Sequence, residues 1–164
     1  MVVYRDFWSP YSPLYPYFLA IWLKIWYDPK MIVLTMAAMD GVAIWISWHF
    51  YRPFQSKGTF LFRALVYLIL PGSLILCIVG GQEDVWMWLF VAAAYLVRER
   101  KVSVTWYAII LAIGLLITKA IFVLILVPLF FLEKDKLRFL IPMALIGVVS
   151  LGILYPLVGL EFLQ

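Results

Sequence analysis

The chain has 164 residues, of which 66% are hydrophobic and only 13% are charged, and its mean hydropathy is +1.03. A soluble domain of this size has too much surface for its volume to bury so many apolar side chains, so the composition excludes an ordinary water-soluble enzyme and indicates an integral membrane protein. The net charge of +4 comes from short basic loops between apolar runs. We therefore expect contacts with membrane lipids and no nucleic-acid partner.

The first thirty residues are rich in aromatic side chains and are interrupted by four prolines. Within them, an apolar stretch over 14–27 contains Lys24 and is shorter than the roughly twenty residues that a membrane-spanning helix needs. We predict that residues 1–30 form an outer-face loop with a juxtamembrane helix. That helix either lies at the membrane interface or forms a re-entrant segment.

Six apolar runs follow, and all are predicted to be helices because backbone polar groups inside a bilayer must be paired within their own segment. They cover residues 31–51, 60–79, 85–97, 103–118, 120–132 and 139–160. The predicted fold is therefore all-α: a polytopic transmembrane helical bundle of about six spans, preceded by the N-terminal segment. No linker or internal repeat divides the chain, so residues 1–164 are predicted to form a single integral membrane domain, with 31–164 as its transmembrane helices.

Basic residues are concentrated in three connections between these runs and predict the orientation of the chain. They are Arg52, Lys57 and Arg63; Arg98, Arg100 and Lys101; and Lys134, Lys136 and Arg138. All three connections lie on one side only if the chain turns back near 80–84 and near 119, and the positive-inside rule then makes that side cytoplasmic. The alternative is one long helix over 103–132, which would separate the second and third basic clusters.

The sequence Gly80-Gly81-Gln82-Glu83-Asp84 places two acids and an amide between two apolar runs. Glycines suit a tight turn, and acids in the first turn of the next helix are stabilised by the helix dipole, so the motif is typical of a solvated helix start. The alternative is a functional carboxylate pair that handles a proton, a cation or sugar hydroxyls. Charged side chains inside a bilayer are energetically costly, and this favours a functional role for them.

Four further charged residues, at three places in the sequence, are candidates. Lys119 has no other charge within thirteen residues on either side, and its ammonium either snorkels to the interface or faces a phosphate or the acids at 83–84. Arg5 and Asp6 precede a proline-stiffened segment, which is either an aromatic membrane anchor or a loop that offers Asp6 as a base. Asp40 lies in the middle of an apolar run, and we interpret it as a structural residue that is neutral or hydrogen-bonded.

The chain has one cysteine and one histidine, so neither a disulfide nor a Cys/His metal cluster is predicted. It also contains no Gly-rich nucleotide loop and no serine nucleophile elbow. No cofactor is expected, and the sequence leaves open whether a divalent metal takes part.

Three pieces of the sequence, in order, resemble motifs of the GT-C-fold multi-spanning glycosyltransferases, which take sugars from polyprenyl-phosphate donors and include several mannosyltransferases. They are Tyr4-Arg5-Asp6-Phe7 with Tyr11-Ser12-Pro13-Leu14-Tyr15, Gly80-Gly81-Gln82-Glu83-Asp84, and Gly114-Leu115-Leu116-Ile117-Thr118-Lys119 with Val127-Pro128-Leu129. The first piece is similar to the first outer loop of that family, the second to a turn that opens a later helix, and the third to a hairpin. Family members are usually longer and begin with an earlier span, so we expect this chain to be truncated at both ends relative to them.

The resemblance implies a hexosyltransferase that transfers a sugar from a polyprenyl-phosphate-linked donor to an acceptor on the non-cytoplasmic face. In such enzymes an acid in the first outer loop commonly acts as the base, which indicates Asp6, and basic side chains meet the donor phosphate, which indicates Arg5 or Lys119. The residues that the resemblance indicates and those of the glycine turn together make up the candidate site. The catalytic candidates are Asp6 and Asp84, and the substrate-binding candidates are Arg5, Gln82, Glu83 and Lys119.

Two other functions remain open. One is a non-catalytic membrane subunit or scaffold of a glycosyltransferase complex, which requires a second membrane subunit as its partner. The other is a small transporter with Asp40, Asp84 and Lys119 along an ion path, which the lack of a detectable repeat disfavours. In each case we predict a multi-pass integral membrane protein of the cell membrane, or of the ER membrane if the source is eukaryotic.

Overall fold

The computed structural model describes residues 14–82 and 84–158, and these ranges contain helices but no strands, which confirms the all-α class. The α-helices are α1 (Leu14–Ile25), α2 (Lys30–Tyr51), α3 (Lys57–Ile69), α4 (Asp84–Glu99), α5 (Val104–Ile117), α6 (Val123–Leu132) and α7 (Lys136–Val158). A π-helix (Gly72–Val79) follows α3, and a 3₁₀ turn (Ala120–Phe122) precedes α6. Within the described residues, each of the six predicted apolar runs is therefore mainly helical.

Among the described residues, α2 and α7 are long and apolar enough to cross a membrane, and α3 with the π-helix makes a third such span if this bent pair is counted as one. The pair is bent by 65° at Leu70, whose backbone is extended (φ −62°, ψ 137°). Pro71 explains this conformation, because a proline disfavours helical geometry in the residue before it. The apolar helices α1, α5 and 120–132 are shorter. The described part of the chain thus consists of helices and their connections, with two or three segments of membrane-spanning length.

α4 is the central helix and contributes to three apolar clusters. Near its first turn, Trp86 packs with Tyr15 of α1 and Met36 of α2. Further along, Leu89 and Ala92 pack against the second half of α2. Its last turns join the largest cluster, which is shared with α5, the 3₁₀ turn, α6 and α7 and consists of Ala94, Val104, Tyr107, Ala108, Leu111, Phe122, Leu126 and Phe139.

Two ion pairs at opposite ends of α4 show that the chain turns back at Lys119. Lys119 Nζ lies 2.8 Å from Asp84 Oδ1 at the start of α4, whereas Arg98 Nη2 lies 2.9 Å from Glu133 Oε1 near its end. A continuous helix over 103–132 would carry residue 133 about 21 Å beyond residue 119, away from α4. The long-helix alternative is therefore wrong, and the hairpin is confirmed.

The three basic connections lie at one end of the bundle. His49 Nε2, near the end of α2, lies 3.4 Å from Glu99 Oε2 at the end of α4. The Arg98–Glu133 ion pair places the connection before α7 at the same end of the bundle. The glycine turn and Lys119 lie at the opposite end, as the distribution of charge predicts.

The approach of α5 to α4 depends on Gly114. A Cβ atom at this position would lie 2.8 Å from Phe90 Cβ and 3.1 Å from Phe122 Cζ, which is closer than side chains pack, so a larger residue would push the helices apart. One turn later, the buried hydroxyl of Thr118 donates to the Gly114 carbonyl at 2.7 Å. The segment from Gly114 to Thr118 thus ends α5 at the point that presents Lys119 to α4.

Candidate functional site

The Asp84–Lys119 ion pair is the centre of the candidate site. Its side chains are partly exposed, 28% for Lys119 and 44% for Asp84. Asp84 lies in the first turn of α4, and Lys119 follows Thr118, the residue that caps α5. Each charge therefore complements the partial charge at its own helix end, as well as its partner. The helix-start interpretation of Asp84 and the interpretation of Lys119 as facing an acid at 83–84 are both correct.

The glycine turn directly precedes this ion pair. Gly81 has a positive φ of 66°, a backbone conformation that glycine adopts without steric cost. Gln82 follows, half-buried, and its backbone N–H donates to the Leu76 carbonyl at 3.3 Å. The predicted tight turn is therefore present, and it directs the chain from the π-helix into α4.

Tyr15 fixes the start of α1 against the same turn. Its side chain is buried, with 3% of its surface exposed, and its hydroxyl donates to the Gly81 carbonyl. Its ring packs edge-on against Trp86, with 5.6 Å between the ring centroids. Phe18, one turn later, makes a similar contact with Trp86 at 5.2 Å. These contacts hold α1 beside the first turn of α4.

Residues from each of the three pieces that carry the family resemblance therefore meet at one end of the bundle, whereas Val127, Pro128 and Leu129 of the third piece lie further along, in α6. Tyr15 ends the first piece, Gly81 and Asp84 belong to the second, and Lys119 ends the third. The candidates Arg5, Asp6 and Glu83 lie outside the described residues. The arrangement presents an ammonium held in place by a carboxylate, which is a geometry that can bind and orient a phosphate or another anion.

Asp40 lies away from this ion pair and contacts the π-helix. Only 2% of its surface is exposed, and Ser73 Oγ donates to its Oδ2 at 3.2 Å. A buried carboxylate needs such a partner, because an unpaired polar group inside an apolar environment is costly. The expectation that Asp40 is hydrogen-bonded within the structure is confirmed.

Sequence reasoning missed two residues that the structure makes prominent, Tyr15 and Glu133. The Glu133 side chain is 5% exposed and accepts from Arg98 Nη2 at 2.9 Å, from the Lys134 N–H at 2.9 Å and from the Asp135 N–H at 3.3 Å. Nothing in the sequence separates Glu133 from the other charges of its connection. Likewise, Tyr15 is one of ten tyrosines, and its burial and its contacts with Gly81 and Trp86 become visible only in the structure.

Within the two described ranges, no group of three or more His, Cys, Asp or Glu side chains is arranged to hold a metal ion. Comparison of the chain with family models, with curated proteins and with solved structures finds no match. What this end of the bundle can do must therefore be argued from its own geometry.

Proposed function

We propose that the protein is a multi-pass integral membrane protein of about six spans and that it is a glycosyltransferase similar to the GT-C group, or the membrane core of one. In this proposal, the end that carries Asp84 and Lys119 receives the phosphate of a polyprenyl-phosphate-linked sugar donor. The observation that carries the proposal is the Asp84–Lys119 contact of 2.8 Å. The contact of Tyr15 with the adjacent glycine turn supports it, because it brings the first of the three resembling pieces to the other two.

Each residue has a distinct part in the proposed reaction. The oxygen of the acceptor hydroxyl attacks the anomeric carbon of the sugar, the bond from that carbon to the phosphate oxygen breaks, and the hydroxyl proton passes to a carboxylate. Asp6 or Asp84 takes that proton, and general-base help of this kind is worth roughly 10² to 10⁴ in rate. Lys119 stabilises the charge on the departing polyprenyl phosphate. Arg5, Gln82 and Glu83 bind the donor or the acceptor.

The site also explains how Lys119 would be ready for a phosphate. An ammonium has three N–H donors, so Asp84 can hold it in position while it meets a phosphate oxygen. Because the Lys119 and Asp84 side chains are 28% and 44% exposed, a ligand can approach the pair from outside the bundle. Preorganised cations of this kind contribute to the stabilisation of a transition state.

The test is transfer of a radiolabelled sugar from a polyprenyl-phosphate donor in membranes that contain the protein. We expect Lys119→Met and Asp84→Asn each to reduce transfer by about 10² or more, the usual loss when one stabilising group is removed from a transition state. Lys134→Met and Glu99→Gln are matched controls at the opposite end of the bundle, and both should leave transfer unchanged. Cysteine labelling at position 82, in a Cys77→Ser background, checks that each variant inserts in the same orientation.

Unchanged transfer in both Asp84→Asn and Lys119→Met would remove this ion pair from the site. Transfer that appears only when a second membrane chain co-purifies would favour the subunit alternative. Labelling of positions 82 and 119 from opposite sides of the membrane would contradict the proposed site as a whole.

The second candidate function is a small transporter, which the surroundings of Asp40 favour. Discontinuous helices with buried polar groups are common at the substrate and ion sites of transporters. Here the Asp40–Ser73 hydrogen bond lies beside the 65° bend between α3 and the π-helix. Ion flux in proteoliposomes that is abolished by Asp40→Asn would support this candidate, and the absence of flux would remove it.

A further inference from the structure

A cavity of about 530 Å³ opens between α2, α3 and α4, a volume in the range of small-molecule sites. Much of its wall is apolar and is formed by Ala43, Ile44, Phe60, Ala64 and Val85. The polar groups of Ser47 and Trp88 are satisfied within the wall: Ser47 Oγ donates to the Ala43 carbonyl at 2.7 Å and accepts from Trp88 Nε1 at 2.9 Å. This part of the cavity is therefore suited to a hydrocarbon chain.

One end of the cavity carries a cation. Arg63 and Gln55 both line it, and Arg63 Nη1 donates to Gln55 Oε1 at 2.9 Å. A guanidinium has five N–H donors and is always charged. Among residues 14–82 and 84–158, no carboxylate lies within ion-pair distance of Arg63, in contrast to Arg98, Lys119 and Arg138.

The cavity faces the surroundings of the bundle rather than its core. Tyr51 and Trp88, which line the cavity, are 48% and 45% exposed, so a ligand in the membrane has access to it from the side. Arg63 lies in α3, less than two turns after Lys57 at the start of that helix, so its end of the cavity is on the side of the first basic connection.

We propose that this cavity binds one anionic phospholipid from the leaflet on the side of the three basic connections, with an acyl chain between α2 and α3 and its phosphate on Arg63. The apolar wall matches the chain, and a guanidinium that has no described carboxylate within ion-pair distance matches an anionic headgroup, since basic pockets between membrane helices recognise such headgroups. A neutral lipid or an apolar partner helix would leave Arg63 without a counter-charge. The inference rests on the proposed membrane location and does not depend on sugar transfer.

The test uses a phosphatidylglycerol probe with a photoreactive diazirine in one acyl chain, mixed into phosphatidylcholine vesicles that contain the protein. After irradiation, mass spectrometry of the peptides locates the adducts. We expect labelling within residues 43–67 and at 85–88, at a higher level than with the same acyl chain on phosphatidylcholine. Arg63→Ala should reduce the labelling by about fivefold, the effect of one cation on an anionic lipid.

Three further variants separate the effect of the charge at position 63 from the effect of cavity volume and from the effect of the protein's net charge. Arg63→Lys should retain most of the labelling because it keeps the cation, and Ala64→Trp should reduce it by filling the cavity while leaving Arg63 in place. Arg100→Ala, which removes an exposed arginine from the second basic connection, should label like the unaltered protein. Equal labelling by the two headgroups, or labelling unchanged in Arg63→Ala, would overturn the proposal.

Failure of this proposal is distinguishable from failure of the membrane location. Cysteine labelling at positions 82 and 119 reports insertion independently of lipid binding. An inserted protein that gives no adduct in the cavity contradicts the lipid site alone. A protein that is not inserted contradicts the membrane location, and the lipid site with it.

Discussion

The two ends of α4 carry ion pairs of nearly equal length and very different surroundings. Glu133, at the basic end, has a 5% exposed side chain and accepts from a guanidinium and two backbone N–H groups. Asp84, at the other end, is 44% exposed, and among the described residues it accepts from Lys119 alone. Both contacts are close to 2.9 Å, so distance does not distinguish them.

The two carboxylates differ in how many hydrogen bonds they accept from the rest of the protein and in how exposed they are. In Glu133 one buried oxygen, Oε1, accepts all three of these hydrogen bonds, and a new partner for that oxygen would have to displace one of them. A partly exposed pair contributes little to stability and remains accessible. The Arg98–Glu133 pair therefore has the features of a structural clamp, and the Asp84–Lys119 pair those of a site.

The largest effect should come from Glu133→Ala. The change leaves two backbone N–H groups without their acceptor and removes the partner of Arg98, so we expect the free energy of unfolding to fall by about 2 to 3 kcal/mol. The measurement is equilibrium unfolding in detergent micelles. Glu99→Ala removes an exposed acid from the same end, and its effect should stay within about 0.5 kcal/mol. Equal losses in the two variants would abolish the distinction between clamp and surface pair.

A smaller loss is expected from Gly114→Ala. The added Cβ would press on Phe90 and Phe122, and overpacking of this kind costs about 1 to 3 kcal/mol. The control is Gly147→Ala in α7, where no atom lies within 4 Å of the added Cβ; there alanine should stabilise the helix by up to about 1 kcal/mol. The unfolding free energies of both variants check this. If Gly114→Ala left the free energy of unfolding unchanged, α5 could move without cost, and this contact would not set the position of Lys119.

The smallest effect should be the coupling within the candidate site. A double-mutant cycle with Asp84→Asn and Lys119→Met should give an interaction energy of about 0.2 to 1 kcal/mol in unfolding, typical of an exposed pair. The same cycle at Arg98 and Glu133 should give a larger value. If the coupling at Asp84–Lys119 proved the larger of the two, the pair would be a structural element and a weaker candidate for ligand binding.

Much of the fold was accessible from the sequence because hydropathy and charge are strong constraints in a membrane. The apolar runs predicted the helices, and the three basic connections predicted the hairpin at Lys119, which the two ion pairs of α4 confirm. The bend at Leu70 and Pro71 was not predicted. A single proline inside an apolar run is compatible with either a kinked or a broken helix, and only the neighbouring contacts decide between them.

The candidate site was accessible in part. The isolated charge of Lys119 and the acid at Asp84 stood out because both lie in apolar surroundings. Glu133 did not stand out, because its burial depends on how α6 returns to the end of α4, and that is a tertiary effect. The cavity between α2, α3 and α4 was also hidden, since the distance between helices leaves no trace in a hydropathy pattern.

The shortness of the hairpin has a consequence for the membrane around it. α5 has 14 residues, about 21 Å of helix at 1.5 Å per residue, whereas the hydrocarbon core of a bilayer is about 30 Å thick. Such hydrophobic mismatch draws the lipid surface down around a short helix. In the proposed orientation, lipid headgroups would then lie closer to the tip of the hairpin. The charged phosphate of a lipid-linked substrate would reach the Lys119 ammonium without entering the hydrocarbon core.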